Sequence, residues 1–271
     1  MSSEEFKRFE SGAWAERART YDLVMGAVTA RVGEVLLDEA GVGPGMRLLD
    51  VGCGPGTITA AAAARGADAV GVDLADGMLA LGRERHPGLR LVKGDAEALP
   101  FGDGEFDAVI GGFILNHLPS AEAAVAETAR VLRPGGRLAV AVWDEPSRNR
   151  LLGELTAAVH DAGVPVRGGL PEGPDPYRHA DPERMCELLR CAGRAATRAR
   201  RLSLVHEARS PDELWDGLLG GTARISTVLA AQPEEVRERV RAAFRRRVDA
   251  GRGPVALEAA VIIGCATFGV A

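Results

Sequence analysis

This chain of 271 residues has little that would tie it to an oxidising compartment, a structural metal or a lipid bilayer. Its four cysteines, Cys53, Cys186, Cys191 and Cys265, include no C-x-x-C pair, and their scatter matches neither a disulfide framework nor a zinc pattern. No metal site is expected, and reduced thiols in a cytoplasm are the natural setting. The first residues, MSSEEFKRFESG, are polar and contain no apolar signal core. The most apolar stretch, 255–271, is interrupted by Glu258 and two glycines; it falls short of a membrane span and reads as a terminal core strand. An excess of positive charge is missing too. The net charge is −5, which argues against a general nucleic-acid surface. There is no internal repeat and no low-complexity linker.

What is present suits one elaborated α/β domain, with 46% hydrophobic and 26% charged residues. Residues 14–40 carry apolar side chains at helical spacing, and Gly41, Gly43, Pro44 and Gly45 stop that helix. Short apolar runs then alternate with helical segments. Strands are expected at 47–51, 69–73, 89–94, 106–111 and 137–143, and helices at 58–65, 77–84 and 121–132. This alternation predicts a doubly wound, mostly parallel sheet with helices on both faces. Continuous apolar strands fit a sheet covered on both sides. Beyond Trp143, helices are expected at 151–162, 182–192, 210–219 and 233–248, and strands at 197–206 and 253–268. The helix at 210–219 opens with Ser210-x-x-Glu213, a capping-box pattern. The one at 233–248 shows Val236, Val240, Phe244 and Val248 as an apolar stripe, with arginines 237, 239, 241, 245, 246 and 247 on the remaining faces. A solvated face is the plain reading of those arginines.

The stretch LLDVGCGPGTITAAAAARGADAVGVDLADGML, residues 48–79, carries the first chemical signal. A parallel strand, a glycine-rich turn and a helix start form a general nucleotide cradle. Gly52 and Gly54 let the backbone approach a ligand, and helix amides would face its polar groups. A dinucleotide fingerprint wants glycine at position 57, where Thr57 stands, and Pro55 removes an amide that a pyrophosphate would use. The cradle therefore suits a nucleoside without phosphates. Asp73 ends the next strand, where a carboxylate can accept from both hydroxyls of a ribose. Asp95 can accept from an adenine amine, and the Ala96 amide can donate to a ring nitrogen.

LLDVGCGPG, GVDLADGML, GDAEALPF, FDAVIGGFILNHL and RVLRPGGRLAVAVW, in that order, resemble the successive motifs of class I S-adenosylmethionine (SAM) dependent methyltransferases. The group most resembled is the one related to ubiquinone/menaquinone-biosynthesis methyltransferases. The resemblance covers residues 14–143, and more loosely the lid arrangement of small-molecule members beyond. It implies a Rossmann-like α/β fold with a mostly parallel seven-stranded sheet and helical cap insertions. It also implies SAM as cofactor and S-adenosyl-L-homocysteine as product. Asp50, Gly52 and Gly54 would line the methionine end, and Asp73 would hold the ribose. Leu74 and Met78 would pack on the adenine or sugar, Asp95 and Ala96 would read the adenine edge, and Gly111 and Gly112 would offer carbonyls to the α-amino group. Trp14 and Tyr21 lie in WAERARTYD, which resembles the family's N-terminal segment, where Tyr21 would close over the cofactor.

A sulfonium is already a potent methyl donor, so the protein must mainly align a nucleophile and exclude water. For a hydroxyl acceptor, His117 is the candidate general base by position. The expected organisation is an N-terminal helical lid at 1–46, a core at 47–207 and 253–271, and a helical substrate cap at 208–252, with 145–180 contributing. Apolar residues in the cap, among them Trp215, Leu218, Ile225 and Phe244, suit a small, hydrophobic methyl acceptor. Neither nucleic acid nor membrane is an expected partner, and the helical caps offer faces through which two copies could pair. Two alternatives stay open: a SAM-binding enzyme of this fold that catalyses cyclisation, decarboxylation or rearrangement, and a noncatalytic SAM-binding partner or sensor.

Overall fold

The computed structural model describes residues 2–165, 169–193, 195–248 and 254–269. Seven strands form one sheet: β1 Arg47–Val51, β2 Asp68–Asp73, β3 Arg90–Lys93, β4 Phe106–Gly112, β5 Leu132–Trp143, β6 Ala195–Ala208 and β7 Val255–Phe268. Their order is β3-β2-β1-β4-β5-β7-β6. The pairs β1–β2, β2–β3, β1–β4 and β4–β5 are parallel, and β7 runs antiparallel to β5. The fold is the expected mostly parallel α/β sheet, with a single reversed strand established by these pairings. The order reverses direction between β1 and β4, so the carboxyl ends of β1, β2 and β4 flank one switch point. That crevice is where open α/β sheets bind ligands.

Ten helices occur among the described residues: α1 Ser3–Arg17, α2 Met25–Glu39, α3 Thr57–Ala64, α4 Asp76–Arg85, α5 Ala121–Val131, α6 Arg150–Asp161, α7 Pro182–Arg190, α8 Pro211–Gly220, α9 Ala223–Ala230 and α10 Glu234–Val248. Local chemistry accounts for their starts. The Ser120 hydroxyl accepts from the Ala123 amide at α5, and the Asp181 carboxylate accepts from the Glu183 and Arg184 amides at α7. Pro182 and Pro211 occupy first-turn positions, where a missing N–H costs nothing.

The continuous helix expected over 14–40 is instead α1, a short 3-10 turn at Tyr21–Leu23, and α2. Tertiary docking overrides the periodicity. The Thr20 hydroxyl lies 3.2 Å from the Arg17 carbonyl and 2.9 Å from the Gly220 carbonyl, taking the chain out of helix. At the other end, α1 starts earlier than any apolar pattern suggests, because Ser2 and Glu5 close a capping box.

Residues group by contact into two compact units. One comprises Thr29–Trp143, Pro174–Leu202 and Val261–Ala271. Its core is one cluster built from the sheet, α5 and α7, including Leu49, Val70, Phe106, Val109, Val140, Met185, Leu189 and Ile262. The other comprises Met1–Val28, Asp144–Gly173 and Ser203–Ala260. There the Arg224 guanidinium stands 5.4 Å from the Phe6 ring and 5.5 Å from the Phe9 ring, and donates to the Pro171 carbonyl at 2.6 Å. That arginine staples α1 to α9. The arginines of α10 are largely absorbed within this unit: Arg241 and Arg245 meet Asp212, and Arg247 meets Glu154 and Asp161. Among the described residues, no helix is long and apolar enough to cross a membrane, and no cluster of side chains could hold a metal ion.

Candidate active site

The glycine turn accounts for its own backbone. The Gly52 and Cys53 amides donate to the Val72 carbonyl at 2.8 and 3.1 Å. The Gly54 amide donates to Asp73 Oδ2 at 2.8 Å, Pro55 has no N–H, and the Gly56 amide donates to the Cys53 carbonyl at 3.0 Å. Every donor from 52 to 56 is therefore committed. A pyrophosphate would find none of them free, whereas a phosphate-free nucleoside asks for none. Gly52, Gly54 and Gly56 all adopt positive φ. They differ in surroundings: a Cβ on Gly52 would press into Ile114, while one on Gly54 would meet only Met78 Sδ, at 4.0 Å. The space beside Gly54 is open.

Asp73 has two tasks. Its Oδ2 holds the Gly54 amide and its Oδ1 accepts from the Ala75 amide at 2.8 Å. The Leu74 amide acts on the same carboxylate, and of its roughly four lone-pair sites at least one is left to accept from a ribose hydroxyl. Burial raises the Asp73 pKa, while the amides of Ala75, Gly54 and Leu74, and then His117, act to lower it. Asp50 is completely buried at the end of β1. Thr59 Oγ1 donates to its Oδ2 at 2.7 Å, and Oδ1 has no partner among the described residues. Burial pushes its pKa up to about 7, opposed by the Thr59 bonds and reinforced by the charge of Asp73. One fully buried and one partly buried carboxyl beside a bare glycine bend favour a cation there.

The remaining site residues predicted from sequence within the unit that holds Asp50 and Asp73 lie on its strand ends and in the segments that follow them. Leu74 follows Asp73, and Met78 is buried on α4 beside Gly54. Asp95 Oδ1 accepts from the Glu97 amide at 2.9 Å, shaping the turn after β3, and Ala96 is buried within it. Gly111 and Gly112 end β4 opposite Val140 and Ala141 of β5. His117 closes a 3-10 turn, Ile114–His117. Tyr21 belongs to the other unit, with its ring edge-on to Trp14 at 6.0 Å.

Three features escaped the sequence reading. Thr59, which satisfies Asp50, has only its position one turn into a helix after the glycine bend as a signal. Phe113 has φ +69°, the only positive value at a non-glycine position among the described residues, and stacks on Trp143 with centroids 4.0 Å apart. A bulky residue in that conformation is strained, and such strain concentrates at functional sites. It stands between β4 and the 3-10 turn that begins at Ile114, whose side chain lies against Gly52 and Gly111. The third is a strap, residues 174–179, hydrogen-bonded to the loop after β4. A separate polar cleft of about 370 Å³ is lined by Asp38, Glu39, Arg137, Arg198, Cys265 and Thr267, away from these residues, near the start of the parallel part of β5.

Comparison with known proteins places the chain in a family. Residues 49–140 match the family model described as "Methyltransferase domain". The demethylmenaquinone methyltransferase of Beutenbergia cavernae is 42% identical over 140 residues, 50% of this chain and 58% of that protein, so the match spans little more than half of that relative. The demethylmenaquinone methyltransferase of Paenarthrobacter aurescens is 31% identical over 212 residues, 72% of this chain and 84% of that one. The crystal structure of YcgJ from Bacillus subtilis shares the fold, with a TM-score of 0.55 at 19% identity, covering 87% of this chain and 97% of that one. The chain belongs to the class I SAM-dependent methyltransferase family.

Proposed function

We propose that this protein moves a methyl group from SAM to a small, largely apolar acceptor. The observation that carries the reading is Asp73: its carboxylate, at the end of β2, pins the glycine bend through the Gly54 amide and keeps acceptor capacity for a ribose hydroxyl. Bound SAM would supply a sulfonium-activated methyl group, so no metal or covalent nucleophile is required of the protein. The chain's own residues bind and orient. Asp73 receives the ribose diol, Asp95 and Ala96 receive the adenine edge, Leu74 and Met78 wall the base, and the carbonyls of Gly111 and Gly112 receive the ammonium. Asp50 and Asp73 together give the crevice a negative potential that suits the sulfonium and ammonium of the methionine end. His117 is the candidate to take a proton from a hydroxyl acceptor; a carbon acceptor needs no base.

The acceptor in the relatives' names, demethylmenaquinone, is the first to test in its reduced form. Incubation with methyl-labelled SAM should transfer label to it or to another apolar ring compound. Binding of SAM without transfer to any acceptor would favour the non-methylating readings, and binding of NAD in place of SAM would end the proposal.

A further inference from the structure

The loop after β4 has two faces. In a 3-10 turn, residues three apart eclipse one another, so Ile114 and His117 share a face. Ile114 lies against Gly52 and His117 acts on Asp73, which turns that face to the cofactor crevice. Asn116 lies off it and meets the strap instead. Its Nδ2 donates to the Pro176 carbonyl at 2.5 Å. Arg178 reaches back from the strap, donating to the Leu115 carbonyl at 3.2 Å and the Leu118 carbonyl at 2.9 Å. These three bonds tie the loop that carries Asn116 to the strap that carries His179, and together they form one loop-and-strap cluster.

Two atoms of that cluster are unsatisfied. Asn116 is 5% exposed, and its Oδ1 has no hydrogen-bond partner among the described residues. His179 Nε2 is buried without one. Leaving a buried polar atom unpaired is costly, so each calls for a partner. The chemistry of that partner is restricted. Oδ1 accepts only, so a ketone or an anion is unwelcome there. The Arg178 guanidinium makes the cluster unwelcoming to a cation. A neutral hydroxyl suits either atom, because it can donate to Oδ1 or accept from an Nε2–H tautomer. Burial, then the neighbouring Arg178, lower the His179 pKa to about 4, so its ring stays neutral and serves as an anchor rather than a base.

Building on the proposed methyl transfer, we propose that Asn116 and His179 are specificity-determining residues that anchor a neutral hydroxyl of the methyl acceptor. Both atoms are closed off from solvent, so the strap parts when the acceptor enters and closes over its polar end.

The test uses the full chain with S-adenosylhomocysteine present and two fluorescent probes, 1-naphthol and its methyl ether, 1-methoxynaphthalene. One neutral hydrogen bond of about 1 kcal/mol corresponds to roughly fivefold in affinity. The wild type should therefore prefer the naphthol by about fivefold or more. His179→Phe and Asn116→Leu should erase the preference without weakening 1-methoxynaphthalene or SAM, and His179→Gln, which keeps a polar atom near Nε2, should retain it. His179→Phe also removes an unpaired buried nitrogen, so it should melt no lower than wild type; a histidine kept for stability alone would melt lower. That variant decides the matter if Asn116→Leu fails to fold. Equal affinity of the wild type for both probes, or a preference untouched by His179→Phe, overturns the proposal. SAM affinity, measured separately, tests the cofactor reading independently.

Discussion

At the scale of single residues, the site is governed by two carboxyls in unlike settings. Asp73 accepts from the Gly54 and Ala75 amides among others, and losing it removes both a turn anchor and the proposed ribose partner. Asp73→Ala should weaken SAM binding by roughly 1.5–3 kcal/mol, the scale for hydrogen bonds to a charged group, as read by calorimetry. Unchanged affinity would remove it from the ribose role. Asp50 makes a pH prediction. Its folded pKa, about 7, is raised above the ordinary carboxyl value, so the folded cofactor-free protein binds more protons than the unfolded chain between about pH 4 and 7. This group's contribution to stability is therefore largest at low pH and is lost as pH rises through about 7. A cationic ligand reverses the preference, because it favours the ionised carboxylate. SAM affinity should then rise from pH 6 to pH 8 with proton release, and Asp50→Asn should flatten that rise. A pH-independent affinity in the wild type would show that Asp50 does not sense the ligand.

At the scale of elements, the glycine turn separates two effects that a motif treats as one. Gly52 and Gly54 both have left-handed backbones, which cost a side-chain-bearing residue about 1–2 kcal/mol. Gly52→Ala adds a collision with Ile114, whereas Gly54→Ala projects into open space. Gly52→Ala should lower the melting temperature more, while Gly54→Ala should lose more SAM affinity than stability. Equal damage from both in both assays would deny that the space beside Gly54 is the ligand's. The first five strands were legible because each is a short apolar run bounded by a glycine, a proline or a polar turn. Asp50, Asp73 and the glycine bend were legible because strand ends fix their place. The break between α1 and α2 was not, since Thr20 leaves helix for a carbonyl 200 residues away. Helix α9 went unseen because eight residues carry too little periodicity. Phe113 and the strap were invisible for a related reason: backbone strain and unpaired atoms exist only once distant segments meet.

At the scale of the whole molecule, the residues assigned to the cofactor, Tyr21 apart, belong to the unit that contains most of the sheet. Ligand binding stabilises the structure it binds by RT ln(1 + [L]/Kd), about 2.7 kcal/mol at a hundredfold excess over Kd. Amides that open with the sheet should share that protection, whereas those already exchanging through local fraying gain little. Hydrogen exchange with and without saturating SAM should therefore slow in 47–57, 70–79, 94–97 and 109–117, the strand ends and turns that carry Asp50, Asp73, Asp95 and the Gly111–Gly112 pair. NAD at the same concentration should leave the pattern unchanged, since the amides from 52 to 56 are already engaged and have none to spare for a pyrophosphate. Protection by NAD over the same segments would mean that the turn rearranges to release those amides. The phosphate-free reading of the crevice would then fall with it.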